Sequence, residues 1–141
     1  MLITKRVEFS ASHVCRKPEF TDEENVRIFG AAANPHGHGH NYLLDVTLEG
    51  EPHPVTGMIL DLKVLKEILQ REVLEPMDHR FLNYEVPPFD RVIPTAENVA
   101  MEIWKRLAKA IPPGAARLHS VRLHETSDLY VEYFGESQLC T

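Results

Sequence analysis

Cysteine, basic residues and long apolar runs are all scarce in this sequence of 141 residues. Its two cysteines, Cys15 and Cys140, are too few for a disulfide framework and favour a reducing compartment. No apolar run reaches the roughly 18 residues that a membrane span needs, and Met1–Thr4 leads straight into charged residues. We therefore expect a cytoplasmic chain with neither a signal peptide nor a membrane partner.

Basic residues are outnumbered, with 15 Lys and Arg against 21 Asp and Glu and a net charge of −6. They form no cluster, so we do not expect nucleic acid to be a partner. The length and the 43% hydrophobic content suffice for one core, which predicts a single domain over residues 1–141. Histidine is the abundant exception, with eight residues, so the ligands of any bound metal would be imidazoles.

Two stretches alternate between apolar and polar residues with the period of a strand. The first covers residues 2–13 and ends with His13 on its apolar face, and the second covers residues 40–49. The connection between them, residues 14–37, is too long for a hairpin loop. Connections longer than about 12–15 residues are usually functional or disordered.

Two helices and a hairpin are predicted in the remainder of the chain. Apolar residues form helical stripes over Asp61–Val73, which Pro76 should end, and over Thr95–Ile111. Residues 117–125 and 128–134 alternate around a turn and predict a closing hairpin. The order ββααββ predicts an α+β fold, with a four-stranded antiparallel sheet and both helices on one face.

The segment around residues 36–40 is the most informative in the chain. It carries His36, His38 and His40 at alternate positions, which places their side chains on one side of an extended strand. Two of them can share a metal with a third imidazole, for which His13 is the candidate. Three imidazoles and an open position are typical of catalytic zinc sites. A set of structural histidines, or a solvated turn, is the alternative.

Two further features can carry chemistry. Asp78 directly precedes His79, and a carboxylate beside an imidazole commonly orients a base, although adjacency in sequence does not itself make the two hydrogen-bond. Glu125 ends a predicted strand, where its carboxylate can bind an amide-like edge of a ligand or can simply be solvated.

Seven spaced motifs occur in order: Phe9–His13, Asp22–Asn25, Asn34–Tyr42, Pro54–Met58, Leu74–His79, Thr95–Asn98 and Leu123–Thr126. Together they closely resemble the 6-pyruvoyltetrahydropterin synthase family, over roughly residues 3–135. The resemblance implies the tunnelling fold, in which three ββααββ subunits join their sheets into a barrel. It also implies a homohexamer of two stacked trimers, with active sites at subunit interfaces.

The resemblance implies a lyase of the tetrahydrobiopterin pathway, which converts 7,8-dihydroneopterin triphosphate to 6-pyruvoyltetrahydropterin and releases triphosphate. The positions that match the family's functional residues are His13, His38 and His40 as zinc ligands, Asp78 and His79 in proton transfer, Glu125 as the acid that anchors the pterin ring, and Thr95 and Glu97 in the pterin pocket.

One position departs from the family pattern. The cysteine that abstracts the proton in the family lies six residues before His38, and here Ala32 stands at that position. The chain could therefore be a catalytically silent pterin-binding protein. Cys15 could instead be the base, because it lies two residues beyond His13, or it could be a buried small apolar residue. A third alternative is another reaction on this scaffold, that of a 6-carboxytetrahydropterin synthase or an aldolase-type relative.

Overall fold

The computed structural model describes residues 1–114 and 116–136, and Cys140 lies outside them. These residues build a five-stranded sheet with the order β3-β1-β2-β4-β5. The strands are β1 (Leu2–His13), β2 (His38–Glu49), β3 (Arg80–Phe81), β4 (Arg117–Thr126) and β5 (Leu129–Tyr133). The β1–β2, β2–β4 and β4–β5 pairs are antiparallel, as predicted.

The structure contains one strand, β3, that the prediction of four antiparallel strands did not include. β3 lies at the edge and pairs in parallel with β1, where Ala11 and Ser12 face Arg80 and Phe81. A two-residue strand is too short to show an alternating pattern, so the sequence gives no signal for it.

The helices are α1 (Asp22–Phe29), α2 (Leu62–Leu69), α3 (Glu75–Met77), α4 (Leu82–Glu85) and α5 (Ala96–Ala110). α5 agrees with its prediction, and its N-cap is Thr95, whose hydroxyl accepts a hydrogen bond from the Asn98 N–H. α1 lies within the long connection and was not predicted. Its N-cap is Thr21, whose side chain accepts from the Glu24 N–H.

The first predicted helix extends beyond its expected end. α2 continues through a π-helical segment, Gln70–Leu74, into α3 and ends only at Met77. Pro76 was expected to stop it, because a proline ring collides with the carbonyl four residues earlier in a regular α-helix. Pro76 instead lies in the first turn of α3, a position where proline is tolerated. The extension carries the chain to Asp78, at the start of the site.

The core lies between one face of the sheet and the two longer helical segments. Its buried side chains include Leu44, Val46 and Leu48 of β2, Leu65 and Leu69 of α2, and Ile103 and Leu107 of α5. The other face of the sheet is polar, with a bidentate Arg6–Asp45 ion pair. No helix in the described ranges is long and apolar enough to cross a membrane.

Candidate active site

The three histidines predicted as metal ligands lie together at one end of the β1–β2 pair. His13 faces His38 across the two strands, and His40 follows two residues later on the same side. Each contributes one ring nitrogen to a group whose members all lie within 4.8 Å of one another. The Nε2 atoms of His13 and His38 are 3.1 Å apart. His36 is exposed and precedes β2, so it does not belong to this cluster.

His13 is held from behind by the backbone. Its side chain is buried, and its Nδ1 lies 2.6 Å from the carbonyl oxygen of Pro94, to which Nδ1–H donates. This hydrogen bond fixes the tautomer and leaves Nε2 with a free lone pair, as in most metal-bound histidines. Burial lowers the pKa of His13 and that of His40, which favours the neutral form that binds metal.

The donor set fits a metal ion. His40 Nε2 is buried and has no hydrogen-bond partner among the described residues. A buried polar atom without a partner costs about 1–3 kcal/mol, and a metal ion satisfies a lone pair that no protein donor reaches. The chain can therefore hold a metal at His13, His38 and His40.

The acid predicted to bind the pterin ring lies next to this cluster. Oε1 of Glu125 is 3.4 Å from Nε2 of His40, and the Glu125 side chain is 18% exposed. Thr95 and Glu97 lie at the start of α5, directly after the Pro94 carbonyl that holds His13. Thr95 is half-buried and its hydroxyl caps the helix, whereas Glu97 is exposed. The helix start thus lies beside the metal cluster.

Asp78 and His79 contact each other directly, which their adjacency alone did not establish. Oδ1 of Asp78 is 3.0 Å from Nδ1 of His79 and also accepts the Ser10 N–H at 2.9 Å. That backbone hydrogen bond, followed by the contact with His79, lowers the pKa of Asp78 and keeps it ionised. His79 has a φ of 60°, which is uncommon for a residue other than glycine and is typical of functional sites.

An open groove of about 560 Å³ runs along the β3 edge of the sheet, and both His79 and His40 line it. The His79 side chain is 83% exposed, so its ring projects into solvent from the groove wall. The groove is therefore a surface shared by His79, which is predicted to act in proton transfer, and by one predicted metal ligand.

Comparison with known proteins identifies the family. The family described as 6-pyruvoyl tetrahydropterin synthase matches residues 2–136. The chain belongs to this family. It is 44% identical to a 6-pyruvoyl tetrahydrobiopterin synthase of Pongo abelii over 134 residues, which cover 95% of this chain and 91% of the relative. It is 31% identical to a dihydroneopterin monophosphate aldolase of Pyrococcus furiosus, with 92% and 94% covered.

The fold agrees with that assignment. The structure of the Caenorhabditis elegans 6-pyruvoyl tetrahydropterin synthase matches this chain with a TM-score of 0.90 and 35% sequence identity, covering 96% of each chain. The family assignment and the α+β fold predicted from the motifs are therefore confirmed, with the short parallel β3 as the difference in the sheet.

Cys15 lies beside Ala32, the position where the synthase family pattern has its cysteine. The Cys15 N–H donates to the Ala32 carbonyl at 2.8 Å, and the thiol sulfur lies 4.0 Å from His13 Nδ1. The thiol therefore lies at the Nδ1 side of the His13 ring, which faces the Pro94 carbonyl, and not at Nε2, the nitrogen that is free to bind a metal. Burial, followed by the charges of nearby acids, raises the pKa of the thiol to about 11. These contacts favour the alternative that Cys15 is a buried apolar residue.

Two features of the site were not predicted. The Pro94 carbonyl has no signal in the sequence, because any residue carries a carbonyl and only the fold brings this one to His13. Tyr42 is fully buried beside His40. It continues the alternation of His38 and His40, so the same period-two pattern could have placed it at the site.

Proposed function

We propose that this chain is a zinc-dependent lyase that converts 7,8-dihydroneopterin triphosphate to 6-pyruvoyltetrahydropterin with release of triphosphate. The observation that carries the proposal is the imidazole cluster with Glu125 only 3.4 Å from His40, in a chain that belongs to the 6-pyruvoyl tetrahydropterin synthase family. A metal and an acid side by side suit a substrate with hydroxyl groups at one end and N–H donors at the other.

Zinc is the metal we propose for His13, His38 and His40. Three neutral imidazoles with room for a further ligand are typical of catalytic zinc sites. When bound there, zinc supplies Lewis acidity, which makes carbon-bound protons beside coordinated oxygens more acidic.

The side chains around the cluster have separate proposed roles. The Glu125 carboxylate accepts hydrogen bonds from the amino and ring N–H groups of the pterin, and Thr95 and Glu97 line the pocket at the start of α5. Asp78 holds Nδ1 of His79, which leaves Nε2 of that ring to give or take a substrate proton. Asp78 and His79 are therefore the proposed proton-transfer pair.

A second candidate function is favoured by Ala32. Alanine has no acid–base group, so the residue that abstracts a carbon-bound proton in the family mechanism is absent here. The Cys15 thiol does not replace it readily, since its raised pKa keeps it protonated near neutral pH. The chain would then be a catalytically silent protein that binds metal and pterin.

The assembly that we propose is a homohexamer of two trimers, with active sites at subunit interfaces. The exposed His79 and the open groove around it support this, because a catalytic imidazole works better where water is excluded. β5 is an edge strand with Leu129 and Tyr130 about half exposed, and such edges need a partner or cover. A single domain over residues 1–141 and a cytoplasmic location stay predictions.

A product assay tests the proposed function. The zinc-loaded chain is incubated with 7,8-dihydroneopterin triphosphate, and pterin products and triphosphate are separated by chromatography. 6-Pyruvoyltetrahydropterin is the expected product. Cleavage of the side chain would indicate an aldolase, and a carboxylated pterin would indicate the 6-carboxytetrahydropterin synthase reaction. Either product would contradict the proposal.

Ala32→Cys separates a disabled enzyme from a chain with another base. It restores the family's thiol and should raise the rate at least about 100-fold, the lower range for a positioned acid–base group, if the missing base limits turnover. Ala31→Cys, at the preceding exposed residue, is the matched control and should change nothing. Bound pterin without turnover in the native chain would favour the silent binding protein, whether or not Ala32→Cys restores the reaction.

A further inference from the structure

Tyr42 carries a hydroxyl that packing does not explain. Its side chain is 0% exposed, and the hydroxyl has no hydrogen-bond partner in the described part of the chain. The ring stacks on Phe9 at a centroid distance of 5.0 Å and meets His40 edge-on at 5.5 Å. A buried hydroxyl without a partner is destabilising, and phenylalanine would fill the same space without that cost.

Tyr42 and Glu125 lie at the same end of the β2–β4 pair. The pairing ends with Leu43 of β2 opposite His124 of β4, and Tyr42 and Glu125 are the next residues of the two strands. Both residues contact His40: the Tyr42 ring meets the imidazole edge-on, and Oε1 of Glu125 lies 3.4 Å from its Nε2. A phenol is a hydrogen-bond donor at neutral pH, so Tyr42 offers a proton near a carboxylate.

In the described part of the chain, the Glu125 carboxylate contacts His40 but accepts no hydrogen bond. Its oxygen lies 3.4 Å from His40 Nε2, a nitrogen that makes no hydrogen bond within the described residues. A histidine nitrogen that binds a metal has no proton to donate to a carboxylate. The Tyr42 hydroxyl is thus a donor that lacks an acceptor. The Glu125 carboxylate is an acceptor that would receive no hydrogen bond from a metal-bound nitrogen of His40.

We propose that Tyr42 is a positioning residue, whose hydroxyl donates a hydrogen bond to the Glu125 carboxylate when a pterin is bound. This hydrogen bond holds the carboxylate so that it can accept the N–H donors of the ring. The inference rests on the proposed function, which makes a pterin the ligand of Glu125. Tyr42 then governs how tightly the ring is held and leaves the proton-transfer steps unchanged.

Tyr42→Phe removes the donor and keeps the ring. Neopterin, a fluorescent pterin, is titrated against the zinc-loaded chain, and its dissociation constant should rise about tenfold, the cost of one hydrogen bond to a charged group. With turnover, KM for 7,8-dihydroneopterin triphosphate should rise similarly while kcat changes little. Tyr133→Phe deletes the same atom beside Trp104, away from the site, and should leave affinity unchanged.

A double-mutant cycle with Glu125→Gln tests whether Tyr42 acts through the acid. Once the charged acceptor is gone, Tyr42→Phe should weaken neopterin binding by less than about threefold. Zinc content and thermal unfolding, measured on every variant, establish that the fold and the metal site remain.

The possible outcomes distinguish a failure of the Tyr42 proposal from a failure of the proposed function. A native, zinc-loaded chain that binds no neopterin contradicts the proposed function. Tight binding by the native chain and equally tight binding by Tyr42→Phe overturn the inference alone. A tenfold loss that persists in the Glu125→Gln background also overturns it, because Tyr42 would then contact the ligand itself.

Discussion

At the scale of single residues, the candidate metal site depends on alternation along two paired strands, which brings three imidazoles to one side of the sheet. His13, His38 and His40 were grouped because alternate residues share a face, and the structure brings their nitrogens within 4.8 Å. The same pattern does not choose between His36 and His38, and that choice came from the family resemblance. The structure agrees with it, because β2 begins at His38 and His36 lies before it.

Removal of one imidazole should empty the metal site. We expect His38→Ala to lose bound zinc almost completely, since two neighbouring imidazoles without the third bind far more weakly. The metal content of purified chains, measured by mass spectrometry, is the readout. The native chain should hold about one zinc per chain, the number that a three-histidine site supplies.

His36→Ala is the matched control for that experiment. His36 is exposed and lies two residues away in the same segment, so its loss should leave the metal content unchanged. If His36→Ala loses the metal and His38→Ala keeps it, the assignment of the ligands is wrong.

At the scale of elements, helices and strands that bury an apolar face can be predicted from the sequence. Elements without such a face, α1 and β3, cannot. α1 has exposed Val26 and Ile28 and buries only Asn25, so no helical stripe marks it. Hydrogen bonds hold it instead: Asn25 accepts the Lys17 N–H and donates to the Lys17 carbonyl. Side-chain hydrogen bonds of this kind leave no periodic pattern in a sequence, and neither does a two-residue strand.

Thr95 links an element to the site, because its hydroxyl caps α5 beside the metal cluster. Thr95→Ala should lower the free energy of unfolding by about 1 kcal/mol, the usual cost of a lost N-cap. Thr95→Ser keeps an oxygen at the same place and should retain most of that stability. Urea unfolding of the zinc-loaded chains measures both, and equal midpoints for Thr95→Ala and the native chain would show that the cap contributes nothing.

At the scale of the whole molecule, the fold of the subunit can be predicted from the sequence. The assembly cannot, because it depends on contacts between surfaces of separate chains. The polar face of the sheet, the β5 edge and the groove at His79 are all left open by the helices. His79 is 83% exposed, although its contact with Asp78 and its φ of 60° are features typical of functional sites. These features favour an active site that a second copy completes.

Subunit mixing tests this directly, in an Ala32→Cys background where the faster turnover makes a partial recovery measurable. His38→Ala removes a proposed metal ligand and His79→Ala removes the proposed proton-transfer imidazole, so we expect each variant alone to be inactive. If His79 serves the metal site of a neighbouring copy, random assembly gives about a quarter of the sites both intact residues, and mixing should restore about a quarter of the activity. If both residues serve within one chain, no site is repaired and the mixture stays inactive, which would contradict the interface proposal.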